Sequence, residues 1–248
     1  MSAFTAYRCP KAPELWDALV KGFGAKDVPI GSPLEGVPLI NGLQFGALEF
    51  LQDVVRQRVD YLFLDGAYFL GWPPPRKWYR AVPNAYQKNW VDDVKPDRWE
   101  TIGLKMKPWR KGSYVLITPP SEYVGNLFGF SVPLWLQKTV TVLKEHTDRP
   151  LMVREKYSKG TIQEDLKDAH CLVTWTSNTS VDALLEGVPV FVPSVSQAAP
   201  VGCTDITKVE TPVYPDREPW AWSLAYGQFT LKEIASGLAK EVVCSRFT

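Results

Sequence analysis

The stretch Cys171–Ser194, CLVTWTSNTSVDALLEGVPVFVPS, reads as strand, polar turn, short helix, glycine stop and second strand. Cys171 to Trp175 is short, apolar and β-prone, and Thr176, Ser177, Asn178, Thr179 and Ser180 supply hydroxyl and amide groups able to cap a following helix. Val181, Ala183, Leu184 and Leu185 form that helix's apolar face. Gly187 is placed to end it in a left-handed turn, and Pro189 prevents its continuation. A strand that runs into a polar helix N-terminus presents free N–H groups and the positive end of a dipole, which suits phosphate at a parallel sheet edge. An ordinary βαβ crossover with a well-capped helix has the same pattern, so this segment alone leaves both readings open.

Upstream the pattern repeats. Tyr114 to Thr118 reads as a strand stopping at Pro119-Pro120-Ser121, and Val132 to His146 as a helix with Leu136, Val140 and Leu143 on one face. Leu151 to Val153 is a strand leading into Arg154-Glu155-Lys156, and Ile162 to Ala169 is the next helix. With right-handed crossovers, Ser121, the pair Arg154 and Lys156, and the Ser177–Ser180 turn line one edge of one parallel sheet. A hydroxyl, two cations and a helix N-terminus make a diphosphate site without a metal.

The first hundred residues also alternate. Strands are expected at Ala6–Cys9, Val37–Ile40 and Tyr61–Leu64, with helices at Pro13–Phe23, stopped by Gly22 and Gly24, and at Phe45–Val55. In an open α/β sheet the Asn41-Gly42 and Asp65-Gly66 turns face one cleft. Asp65 is then a candidate base, or a turn aspartate bonded to backbone. Trp72 to Pro75 ends in three prolines, and from there to Lys111 periodicity is weak, as in a binding insertion or lid. Between Arg76 and Lys111 ten basic residues face four acidic ones, with Trp78, Tyr79, Tyr86, Trp90, Trp99 and Trp109 interleaved. That composition suits phosphate contact with base stacking, or a solvated connector whose aromatics pack on the core. Lys107-Pro108-Trp109 is the expected hinge. Pro219–Tyr226 and Leu231–Val242 read as closing helices, with Trp220 and Trp222 as core packing.

Composition narrows the classes. The 248 residues are 45% hydrophobic and 22% charged, with a net charge of +1, so no global field steers the chain to DNA or membrane. Four cysteines without a CxxC pair and two histidines argue against a transition-metal cage. No membrane span, secretion signal or obligate protein partner is evident, and a cytoplasmic location is expected.

Two α/β halves with a diphosphate site in the second and an acid in the first resemble the GT-B glycosyltransferases. Thr176-Ser177-Asn178-Thr179-Ser180 followed by Asp182-Ala183-Leu184-Leu185-Glu186-Gly187-Val188-Pro189-Val190 is similar to their donor-binding signature, with Asp182 where many relatives carry Glu. Leu62–Phe69, Trp78–Gln87, Lys107–Ser121 and Thr147–Lys156 look like the glycosyltransferase-like proteins of tailed bacteriophages, although Glu155 interrupts what looks like an Arg-Pro-Lys turn in those relatives. The resemblance implies two Rossmann-like domains with parallel sheets facing a central cleft, closed by C-terminal helices. Their expected spans are 1–108, with 72–108 as insertion, then 109–215, with helices over 216–248. It implies a metal-independent hexosyltransferase that needs no cofactor and uses a nucleotide diphosphate sugar, UDP-sugar first. The implied acceptor is a hydroxymethylated pyrimidine in phage DNA, and a surface polysaccharide is the alternative. A sugar nucleotide epimerase or hydrolase, or a non-catalytic nucleotide- or nucleic-acid-binding protein, shares the plan. Asp65 is the catalytic candidate. Ser121, Arg154, Lys156, Thr176, Ser177, Asn178, Thr179, Ser180, Asp182 and Glu186 are the donor-side candidates, and Gly42, Tyr68, Arg76 and Arg80 the acceptor-side ones.

Overall fold

The computed structural model describes residues 3–70 and 78–245. Arg76 and the prolines of Trp72–Pro75 lie outside the described residues. The chain forms two compact units, Met1–Lys88 with Leu224–Thr248, and Asn89–Ser223. The boundaries expected from the sequence are 108 and 215, whereas the units meet at 88/89 and 223/224.

In the first unit the strands are β1 (Phe4–Arg8), β2 (Lys26–Pro29), β3 (Val37–Asn41), β4 (Leu62–Gly66), β5 (Trp78–Pro83) and β10 (Gln228–Thr230). They form one sheet in the order β10-β5-β4-β3-β1-β2. The four strands β4, β3, β1 and β2 pair in parallel, as α/β alternation demands. The expectation of a wholly parallel sheet fails at the other side, where β5 runs antiparallel to both β4 and β10. β4 ends at Gly66 and β5 begins at Trp78, a connection shorter than the dozen or more residues a parallel crossover needs, and a return of that length suits an antiparallel neighbour. The irregular stretch expected from residue 72 onward is corrected in part, because Trp78–Pro83 is an internal strand and Asp97–Ile102 a short helix, whereas residues 84–96 and 103–113 carry no helix or strand.

The helices of this unit are α1 (Pro13–Phe23), α2 (Ala47–Arg56), α9 (Leu231–Ala235) and α10 (Leu238–Cys244). One sheet face packs Phe4, Ala6, Leu39, Leu62, Leu64, Tyr79 and Ala81 against Leu15, Trp16, Leu19 and Phe23 of α1 and Ile234 of α9. Gly24 ends α1 at φ 63°, as expected. Gly22, expected as a second stop, instead lies inside α1, where a Cβ would fall 1.7 Å from the Ile234 carbonyl oxygen of α9. The single helix expected over Leu231–Val242 is broken by Gly237 at φ 90°. Its first part starts on a capping box in which Thr230 and Glu233 satisfy each other's backbone N–H groups.

The second unit carries β6 (Tyr114–Thr118), β7 (Leu151–Val153), β8 (Ala169–Thr174) and β9 (Val190–Phe191). Their order is β7-β6-β8-β9 and every pairing is parallel. Around them lie α3 (Asp97–Ile102), α4 (Glu122–Phe128), α5 (Val132–His146), α6 (Ile162–Leu166), α7 (Thr179–Leu185) and α8 (Glu218–Ala225). Val115, Ile117, Cys171, Val173 and Phe191 are buried with Leu143 of α5, and Leu136 and Val140 pack beside them, which is the helix face read from the sequence. Trp220 is 1% exposed, a core residue as expected.

Candidate functional site

In the second unit β6 and β8, neighbours in the parallel sheet, each end in a polar turn. After β6, Ser121 caps α4, its Oγ accepting from the Val124 N–H at 3.4 Å. After β8, the turn Trp175–Asn178 enters α7. Thr118 ties the two turns together, because its Oγ1 lies 2.8 Å from Thr179 Oγ1 and its carbonyl accepts from Thr174 Oγ1 at 2.6 Å. The α7 turn is braced from behind. Ser180 Oγ and Gln197 Nε2 both donate to the Ser177 carbonyl, at 2.8 and 3.0 Å, and Trp220 Nε1 in turn donates to the Gln197 carbonyl at 2.8 Å. Thr176 and Ser180 are therefore interior, whereas Ser177, Asn178 and Thr179 are half-buried at the edge. Thr118 and Gln197 escape a reading of local sequence because each acts on a residue far along the chain. Trp175 closes one side, with Phe130 4.6 Å and Phe128 5.9 Å from its ring.

Arg154 and Lys156 follow β7 as expected, but they differ in freedom. Arg154 pairs with Asp165 and donates to the Gly160 carbonyl at 2.6 Å, so its fork pins its own loop. Lys156 is exposed, with Nζ over the Tyr157 ring. Asp182 lies inside α7, where burial pushes its carboxyl up to about 6 and Glu186 one turn on adds to the effect. Glu186 stands at the opposite end of the helix and accepts from Lys107 Nζ at 2.6 Å.

That C-terminal end explains the Lys107-Pro108-Trp109 segment. The last carbonyls of α7 have no partners within the helix. Lys107 N–H donates to Leu185 O at 2.8 Å, Arg110 Nε to Glu186 O at 3.0 Å and Arg110 N–H to Gly187 O at 2.9 Å, while Arg217 donates to Leu184 O. Residues expected to be a hinge therefore serve as a cap. Gly187, at φ 78°, has the left-handed conformation expected of it, and a Cβ there would sit 2.0 Å from the Pro108 carbonyl oxygen. Gly187→Ala is expected to cost about 3 kcal/mol or more, from left-handed strain plus a clash with backbone. Urea unfolding checks this, and an unshifted midpoint would show that the cap tolerates displacement.

In the first unit β1, β3 and β4, adjacent and parallel, bring Lys11, Asn41 and Asp65 to one edge. Asp65 Oδ1 accepts from the Gly66 N–H at 2.8 Å and lies 3.8 Å from Lys11 Nζ, while Oδ2 lies 3.5 Å from Arg80 Nη2. Arg80 faces Asp65 directly across the β4–β5 pair. It is 3% exposed, donates to the Gly66 carbonyl at 3.2 Å, and sits 5.3–5.8 Å from the rings of Phe63, Tyr68 and Tyr86. Burial works against its charge, but Asp65, Tyr86 and Tyr68 outweigh that and raise its pKa. The Tyr68 hydroxyl, pushed up to about 12 by burial, accepts from the Lys88 N–H at 3.0 Å. Arg80 and Tyr68, expected on the acceptor side, are thus interior groups behind Asp65. Gly42, at φ 69°, leaves room for the Lys11 ammonium, which would lie 2.9 Å from a Cβ there.

The basic aromatic stretch is divided: Tyr79, Arg80, Lys88 and Trp99 are buried, whereas Lys95, Lys105, Lys107 and Lys111 are exposed. On β5 the alternation that looked like interleaved cations and rings is the period of a strand covered on both faces. Among the described residues no group of three His, Cys, Asp or Glu could hold a metal ion, and no helix is long and apolar enough to cross a membrane.

No protein-family model and no curated protein matches the sequence. Solved structures do. The β-Kdo 2,7 transferase of Thermosulfurimonas dismutans KpsC superposes with a TM-score of 0.58 at 12% identity, over 97% of this chain and 99% of that one. The β-Kdo 2,4 transferase of the same organism's KpsC gives 0.55 at 11%, over 97% and 98%. The chain therefore has the fold of these glycosyltransferases along nearly its whole length.

Proposed function

We propose that the chain transfers a sugar from a nucleotide-activated donor to the hydroxyl of a saccharide acceptor, on the GT-B plan. The observation that carries this is the braced Ser177–Thr179 turn at the carboxyl edge of an all-parallel sheet, in a chain whose fold matches two sugar transferases end to end. The donor phosphate sits at the Ser121 and Ser177–Thr179 turns with Lys156 as the available cation, and Asp182, in the first turn of α7, meets a donor hydroxyl, whereas Glu186 at the far end of that helix is held by Lys107. A nucleotide diphosphate sugar, UDP-sugar first, is the donor.

Asp65 acts as the base. The acceptor oxygen forms its bond to the anomeric carbon, the bond from that carbon to the phosphate oxygen breaks, and the hydroxyl proton passes to Asp65. The nucleotide leaves with the electron pair, and hydrogen-bond donors already in place stabilise its charge. A hydroxymethylated pyrimidine in DNA is the second acceptor to test. It ranks behind a saccharide because four residues of the stretch that pointed to DNA are interior.

A thermal-shift panel of nucleoside mono- and diphosphates and their sugars tests the donor. A ligand at a hundred times its Kd stabilises the native state by about 2.7 kcal/mol, enough for a shift of a few degrees. A panel without a hit would sink the proposal, and release of free sugar to water without an acceptor would move it to a hydrolase.

A further inference from the structure

The first unit carries a groove that no step of the transfer uses. It lies between α2 and the loop of residues 31–34 that follows β2, and its volume of about 360 Å³ falls inside the range of roughly 300–1,000 Å³ usual for small-molecule sites. The period of α2 builds one wall. Glu49, Asp53 and Gln57 recur every fourth residue, so they line one face over about 12 Å of helix axis, with Phe50 beside them. One residue fixes both walls. Tyr7 of β1, 1% exposed, packs its ring 4.3 Å from that of Phe50, while its hydroxyl accepts from the Glu35 N–H at 2.7 Å and donates to the Pro33 carbonyl at 2.9 Å. A site held this way is formed before its ligand arrives and avoids the cost of ordering it. The lining includes Gly46, in the turn that links β3 to α2, so one end of the groove lies at the carboxyl edge to which β4 delivers Asp65.

We infer that this groove holds the acceptor beyond its reacting sugar, and that the chain it takes is an uncharged oligosaccharide. Its role as an acceptor site rests on the glycosyl-transfer reading, although the binding it describes does not. Two carboxylates and an amide accept hydrogen bonds from hydroxyl groups, and the Phe50 ring offers an apolar surface to the C–H face of a sugar. Their spacing along α2 suits a chain better than a single ring. Among the described residues no lysine or arginine lines the groove, and Arg56, which pairs with Asp53 at 2.7 Å, stands outside the lining. The surface a ligand meets is therefore acidic. A phosphodiester or a chain of sugar acids brings anions against Glu49 and Asp53, and juxtaposed like charges reject such a partner.

NMR titration of the full chain tests this, with maltotriose, cellotriose and mannotriose as uncharged probes and trigalacturonate, a thymidine trinucleotide and trilysine as charged ones. At least one uncharged trisaccharide is expected to shift the amide signals of residues 31–34 and of α2, and to bind more tightly than its monosaccharide and than every charged probe. Glu49→Ala, on an exposed face, should weaken that binding about tenfold, the worth of one hydrogen bond to a charged group. Tyr7→Phe keeps the ring on Phe50 but releases the loop, and should weaken it as well. No binding by any uncharged trisaccharide overturns the inference. So does a charged probe that binds as tightly, binding that shifts signals elsewhere and not these, or unchanged affinity in Glu49→Ala. Nucleotide sugars shifting the melt while no trisaccharide enters the groove would sink this inference alone. Glu49-dependent trisaccharide binding without any nucleotide-sugar hit would sink the donor reading instead.

Discussion

Asp65→Asn is expected to lower sugar transfer about 10²–10⁴-fold, the range a positioned general base contributes, and to destabilise the protein at the same time. The second effect follows from Arg80, which is 3% exposed and faces Asp65 across β4 and β5. Removing one partner of a buried ion pair leaves the other charge uncompensated, typically at about 3–5 kcal/mol. Arg80 keeps its bond to the Gly66 carbonyl and its three aromatic neighbours, and Asp65 is partly solvated, so about 3 kcal/mol is expected. Loss of activity in the single variant is therefore ambiguous. Asp65→Asn combined with Arg80→Met resolves it, because removing both charges should recover most of the stability and none of the turnover. Transfer at the wild-type rate by a folded Asp65→Asn protein would dismiss Asp65 as the base. Failure of the double variant to recover stability would show that Arg80 does not depend on Asp65.

Asp182→Asn should stabilise the free protein at neutral pH. Folding raises the Asp182 carboxyl from 3.8 to about 6, chiefly by burial and then by Glu186. Between those values the native state holds a proton that the unfolded chain has lost, so stability falls as pH rises through the window and stays lower above it. At 1.36 kcal/mol for each pH unit, the penalty at pH 7 is about 3 kcal/mol. The amide carries no such charge, so its advantage over wild type should be absent near pH 4 and full by pH 7. Urea unfolding at the two pH values measures it, and equal stability at pH 7 would show that the carboxylate is not penalised. If Asp182 meets donor hydroxyls, the same substitution weakens nucleotide-sugar binding, so the stability cost is kept for function.

The parts of the molecule legible in sequence are those governed by neighbours in the chain. The strand–turn–helix–glycine unit at Cys171–Ser194, the helices Pro13–Phe23 and Val132–His146, and the strands leading to Ser121 and Arg154 were all readable from capping residues, apolar period and turn chemistry. Each of those signals acts within a few residues. The parts that were not legible depend on partners far along the chain. Trp78–Pro83 looked irregular, but it is a strand held between Leu62–Gly66 and Gln228–Thr230, and its cationic and aromatic residues are interior for that reason. Arg154 looked like a free cation until Asp165 and Gly160 claimed it, and Lys107-Pro108-Trp109 looked like a hinge until it capped a helix ending at Leu185. Local sequence determined which strands end in polar turns. Only the tertiary structure decided which of the polar groups there are already satisfied, as Arg154 is, and which, like Asn41, still have hydrogen bonds to give.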